Sequence, residues 1–132
     1  LYMQFGIRDA RYKLVFNPDR ALNLLAQSRY SNSQLPEVQY VQSFLHPPEY
    51  ELFDLQEDPY EWKNLADSSE HQTIKQRLLK AMQQFQHEIK DPFASSQNIA
   101  TFIAEQKEYL HKSYKPPSFR WPHLDMFKSA RE

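Results

Sequence analysis

The chain has 132 residues, 40% of them hydrophobic and 14% aromatic, with 16 Lys and Arg against 17 Asp and Glu; this excludes a disordered tail and nonspecific attraction to nucleic acid. It has no cysteine, which removes disulfide frameworks, thiolate metal sites and cysteine nucleophiles. A single glycine, Gly6, removes the Gly-rich loops whose bare backbone amides approach a phosphate.

No apolar run reaches the roughly 20 residues that cross a bilayer, so no membrane partner is expected. The first five residues are too short for a signal peptide. The chain begins at Leu1 and enters a strand-like run at once, which reads as a piece of a longer protein.

Two β-prone runs, 2–7 and 11–16, flank Asp9 and Ala10 and predict a hairpin. In the second run Tyr12, Leu14 and Phe16 share one face, and Arg11, Lys13 and Val15 share the other. Asn17-Pro18-Asp19 stops the strand, because proline has no N–H for a ladder. Residues 20–46 read as an excursion, with an apolar patch at Ala21, Leu22, Leu24 and Leu25 and a short helix over 37–45. Pro47 and Pro48 end it.

Residues 49–55 predict a strand that pairs with the hairpin, with Leu52 packing inward and Tyr50 and Asp54 outward, or the reverse. Asp58-Pro59-Tyr60-Glu61 predicts a turn, after which Trp62 and Leu65 fold back over the core. Residues 70–89 carry Ile74, Leu78, Ala81, Met82, Phe85 and Ile89 at helical spacing, an amphipathic helix with Ser69 and Gln72 as its capping box. Asp91-Pro92 ends it.

A second helix is expected over 97–112, with Ile99, Phe102, Ile103, Gln106 and Leu110 on a narrower face. An extended tail follows, anchored by Phe119 and Trp121 on its own or a partner domain. Strands followed by helices predict an α+β fold: a small antiparallel sheet packed against a long amphipathic helix, with a further C-terminal helix.

Little in the spacing points to chemistry. His46, His71, His87, His111 and His123 contain no His-x-x-x-His pair, so solvated histidines are expected and no metal site. Asp54, Glu57 and Asp58 lack the glycine of an EF-hand loop and read as turn formers. Glu49, Glu51, Glu57 and Asp58 show no glycosidase-like spacing and read as surface carboxylates.

The stretch Glu51-Leu52-Phe53-Asp54-Leu55, then Asp58-Pro59, and after Tyr60-Glu61-Trp62-Lys63 the run Asn64-Leu65-Ala66, resembles a pattern near the end of sulfatases. The preceding Arg8-x-x-Arg11-Tyr-Lys-Leu-Val-Phe-Asn17 resembles the strand pair that those enzymes place before it. The Asp91-Pro92-Phe93 close and the insert over 18–46 look most like the sulfamidase branch, the heparan N-sulfatases (N-sulfoglucosamine sulfohydrolases) of glycosaminoglycan degradation. The resemblance covers roughly residues 7–93, so 1–93 is expected to be a sulfatase C-terminal subdomain of the alkaline-phosphatase-like superfamily, and 94–132 a C-terminal helix and tail.

The resemblance implies a hydrolase whose formylglycine, made in a Cys/Ser-x-Pro-x-Arg motif, and whose calcium ion belong to a missing catalytic domain. This chain has no such motif. It is expected to be inactive alone, with no catalytic residue or metal ligand of its own, and to pack beside the catalytic domain of the same parent chain. The substrate implied is a sulfated sugar, for which Arg8, Arg11 and His46 are candidate binding residues, because the Arg fork matches sulfate or carboxylate. A periplasmic, secreted or lysosomal location is what the family implies. The competing reading is a stand-alone carbohydrate-binding or protein-interaction module.

Overall fold

The computed structural model describes residues 3–19, 46–109 and Met126. The helix expected over 37–45, the apolar patch over 21–25, Leu110 and the tail anchors Phe119 and Trp121 lie outside the described residues. Two compact units divide the chain, Tyr2–Met82 and Gln83–Glu132.

The first unit is built on an antiparallel sheet of order β1-β2-β3, with β1 at Phe5–Arg8, β2 at Tyr12–Phe16 and β3 at Tyr50–Asp54. The expected hairpin is present, and β3 pairs with it through β2. β1 is shorter than the predicted run because β2 stops offering partners at Phe16. Beyond it the Asn17 N–H turns to the Glu49 carbonyl at 2.8 Å, and Pro18 has no N–H to give.

Alternation along the strands places Ile7, Tyr12, Leu14, Tyr50 and Leu52 on one face of the sheet, with Leu14 and Leu52 fully buried. Tyr50 and Asp54 therefore lie on the same side as Leu52, not opposite to it, since residues two apart in a strand point the same way. Phe5, Phe16 and Tyr50 are direct cross-strand neighbours. Their rings stack at 6.1 and 5.1 Å between centroids, which ties all three strands at one end of the sheet.

A 3-10 turn at Ser69–His71 leads directly into helix α1, Gln72–Glu88. Ile74, Leu78 and Leu79 of α1 complete the core with Leu65 and Ala66. The apolar stripe does not stay buried along its length: Ala81, Phe85 and Ile89 are exposed.

The expected capping box is absent. The Ser68 hydroxyl, one residue earlier than predicted, meets His71 Nδ1 at 2.9 Å, and Gln72 Nε2 donates to the carbonyls of Ala66 and Ser68 instead of accepting from an amide. The glutamine amide, unlike a glutamate, can satisfy carbonyls of the incoming loop, and here it does so.

The second unit holds the end of α1, a 3-10 turn at Pro92–Ala94 and helix α2, Ser96–Tyr109. α1 stops in a Schellman arrangement: the Asp91 N–H reaches the Gln86 carbonyl at 2.8 Å, the Lys90 N–H reaches His87 at 3.1 Å, and Lys90 takes a left-handed φ of 53°. Asp91 then caps the next turn, its Oδ1 accepting the Phe93 N–H at 2.9 Å. Phe93 packs edge-on against buried Phe102 of α2 at 5.5 Å.

Candidate functional site

The connection between β1 and β2 is organised by Asp9. Its Oδ1 accepts the backbone N–H groups of Arg11 at 2.8 Å and Tyr12 at 2.7 Å, and its Oδ2 accepts from the Arg77 guanidinium of α1. The Tyr12 N–H, the Arg77 side chain and the Arg11 N–H together hold the Asp9 carboxyl down at about 2.

Arg11 follows in the same connection, and its guanidinium is engaged by Asp54 at the end of β3. Nε lies 3.0 Å from both carboxylate oxygens and Nη2 lies 2.6 Å from Oδ2. Asp54 is buried, while the Arg11 side chain remains about half exposed at 47%. The Arg11 hydrogen bonds lower the Asp54 carboxyl to about 2, and the same contact raises the guanidinium. Arg11 thus closes the sheet at the hairpin end.

Arg8 is exposed on β1, directly across from Lys13 on the sheet face opposite Leu14. Its side chain has no hydrogen-bond or ion-pair partner among the described residues. Lys13 reaches further, its Nζ bonding both carboxylate oxygens of Glu61 at 2.8 and 2.7 Å. His46 is exposed and precedes β3 by four residues, at the Phe16 end of the sheet. Arg8 and Arg11 therefore lie at one end of β2 and His46 at the other, separated by a strand of about 17 Å.

The loop after β3 contains side chains whose roles the sequence reading did not identify. Asp58 and Glu61 close the expected turn through Glu61 N–H to Asp58 carbonyl at 3.1 Å, with Pro59 in the second position, and Glu61 then adopts a left-handed φ of 59°. Asp58 Oδ2 accepts the Lys63 N–H at 2.7 Å.

These bonds turn Trp62 outward, 57% exposed, so that Leu65 alone of the expected pair returns to the core. Asn64 lies along the outer edge of β3 and bonds it through its side chain. The Asp9 contact had a local signal, an aspartate two and three residues ahead of the amides it holds. The Lys13 and Glu61 pair, 48 positions apart, had none.

Among the described residues no group of three or more His, Cys, Asp or Glu side chains could hold a metal ion, and the sequence has neither a cysteine nor a Ser-x-Pro-x-Arg motif. These residues do not fit a formylglycine or its calcium ion. Their arrangement positions cations and aromatic rings around a braced hairpin and loop; no catalytic step is assigned to it.

No family model matches the chain. Over 81 residues it is 35% identical to an ulvan-active sulfatase of Formosa agariphila, an alignment covering 58% of this chain. The chain spans only 16% of the length of that curated relative. Over that stretch the chain is thus related to part of a sulfatase, and its described residues form an α+β fold of an antiparallel sheet and helices.

Proposed function

We propose that this chain is the non-catalytic C-terminal part of a sulfatase, which supports the catalytic domain of the same parent polypeptide and contributes to the rim of its substrate pocket. The observation that carries this reading is the 35% identity with a sulfatase over a segment amounting to 16% of that protein. The hydrolytic machinery then belongs to the remainder of the parent, where the formylglycine and calcium would act on the sulfate group.

In this reading the substrate is a sulfated glycan. Arg8 is the best placed of the three candidate residues to meet an anionic sugar, because Arg11 is already paired with Asp54 and His46 lies at the far end of the sheet. The Asp91-Pro92-Phe93 close of α1 favours the sulfamidase branch and an N-sulfated glucosamine, whereas the ulvan-active relative favours a different sulfated polysaccharide.

The test begins with the reading frame upstream of Leu1, where a Cys/Ser-x-Pro-x-Arg motif is expected in one continuous gene. Sulfate release by that polypeptide is then measured on ulvan and on heparan sulfate side by side. Absence of the motif, or no sulfate release from either substrate or from other sulfated glycans, would favour the stand-alone module.

A further inference from the structure

The two edges of the sheet are finished differently. The N–H groups of Leu55 and Asn17 bond the carbonyls of Arg11 and Glu49 at 2.7 and 2.8 Å, which fixes the phase of the antiparallel ladder: Lys13 and Val15 bond β3, and Tyr12, Leu14 and Phe16 turn their backbone groups to β1. The Asp9 N–H, bonded to the Tyr12 carbonyl at 2.9 Å, gives the same phase from the hairpin end. Phe5 and Ile7 therefore bond β2, and the N–H and C=O groups of Gly6 and Arg8 point away from the sheet. On the far side of the sheet the outward groups of β3 are taken up: the Tyr50 carbonyl and Leu52 N–H by the Asn64 side chain, the Leu52 carbonyl by the Leu65 N–H and the Asp54 carbonyl by the Asp58 N–H. Among the described residues nothing bonds the outward groups of Gly6 and Arg8, and both residues are exposed. Such an edge is a template for another strand.

Gly6 is an independent observation. It is the single glycine of the chain, and it sits inside an edge strand, where glycine costs conformational entropy and packs nothing. Its φ is not left-handed, and among the described residues a Cβ built on it would meet only the Leu14 carbonyl oxygen, at an ordinary 3.8 Å. The hairpin itself therefore has no need of a glycine there. A strand glycine that its own fold does not require marks a place where another backbone comes close.

Building on the sulfatase reading above, we propose that the free edge of β1 accepts a strand from the part of the parent polypeptide that lies outside these 132 residues. The chain spans 16% of the length of its sulfatase relative, a proportion that leaves ample polypeptide to supply one. The shortness of the edge selects a covalently attached partner, because β1 has only four residues. Its few hydrogen bonds, each a small net gain, do not offset the translational and rotational freedom that a second copy or a separate protein would lose. A segment of the same polypeptide loses only loop-closure entropy, which grows slowly with the length of the connection. The added strand ties this scaffold to the rest of the parent through backbone groups.

The test is amide hydrogen exchange read residue by residue, in the 132-residue chain and in the full-length polypeptide that its gene encodes. In the 132-residue chain the Ile7 amide should be protected by β2, while those of Gly6 and Arg8 exchange nearly as fast as in an open chain. In the full-length polypeptide the Gly6 and Arg8 amides should slow by about a hundredfold or more. Gly6→Pro removes an outward N–H that β2 does not use and leaves the preceding Phe5 extended, so the 132-residue chain should keep its Ile7 protection and its circular dichroism. In the full-length polypeptide the same variant should cut Arg8 protection by about tenfold or more.

The proposal is overturned if Gly6 and Arg8 are already protected in the 132-residue chain, whether by its own residues or, where protection rises with concentration, by a second copy. It is equally overturned if the two amides exchange as freely in the full-length polypeptide, or if Gly6→Pro leaves Arg8 protection there unchanged. A variant that fails to fold leaves the comparison of the two unaltered polypeptides to decide. Sulfate release reports on the sulfatase reading separately: release with Gly6 and Arg8 unprotected sinks the added strand alone, and protection without release leaves the strand standing in a different kind of parent.

Discussion

The side-chain oxygen of Asn64 accepts the backbone N–H of Leu52 at 2.9 Å while its amide nitrogen donates to the Tyr50 carbonyl at 3.0 Å, so one side chain occupies the edge of β3 as a neighbouring strand would. The same oxygen takes the Ala66 N–H at 2.9 Å, and the Leu65 N–H completes the edge with a 2.7 Å bond to the Leu52 carbonyl. Asn64→Ala removes all three side-chain bonds. It is expected to destabilise the chain by about 2–3 kcal/mol, read as a lower urea midpoint with an unchanged slope. Asn64→Asp keeps the two acceptor contacts and loses the donor, and should fall between the two.

Acid should unfold the chain through Asp9 and Asp54. Both carboxyls are held at about 2 in the fold, against about 3.9 in an unfolded chain. The unfolded state thus binds protons at a higher pH than the folded one. The stability that these groups contribute is complete above about pH 5 and lost as pH falls from about 4 to 2. A urea midpoint measured at half-unit steps should drop across that window, and Arg77→Met, which removes one partner of Asp9, should make the drop shallower.

Arg8 and Arg11 should separate cleanly by experiment. Arg11→Ala strips the buried Asp54 carboxylate of its cation, so it should lower the urea midpoint and return the Asp54 carboxyl toward its ordinary value in an NMR titration. Arg8→Ala removes an exposed side chain with no partner among the described residues and should change stability by less than about 0.5 kcal/mol. A loss of glycan binding in Arg8→Ala at unchanged stability would mark a recognition role.

Two residues of left-handed φ should respond differently to glycine. Lys90 sits in the Schellman turn that ends α1, and Lys90→Gly should stabilise by about 1 kcal/mol by relieving the side-chain clash. Glu61→Gly relieves a similar clash but breaks the ion pair with Lys13, worth up to about 1 kcal/mol, so its net effect should be near zero. Thermal melts of the two variants make the comparison directly.

The strands and helices were legible because their signals are local. Tyr12, Leu14 and Phe16 alternate, Ile74, Leu78 and Met82 recur at helical spacing, and Pro59 and Pro92 punctuate the chain. What was not legible depends on distant partners. Arg11 read as a free cation because its carboxylate lies 43 positions away, and Trp62 read as a core residue because apolarity alone does not report the turn that points it outward. The capping box over Ser69 and Gln72 was misplaced for a related reason: a glutamine can face carbonyls as readily as amides, and only the path of the preceding loop decides.

Asn17 carries one further consequence. Its N–H bonds the Glu49 carbonyl at 2.8 Å and its buried side-chain amide bonds the Pro48 carbonyl at 2.8 Å and the Glu51 carboxylate at 2.9 Å, so the two ends of the long excursion are clasped where they leave the sheet. Doubling the length of the inserted stretch would cost only about 0.6 kcal/mol of closure entropy. The clasp makes this position a port in the scaffold, where the chain leaves β2 and rejoins the sheet at β3 with the register of the two strands fixed by Asn17 itself.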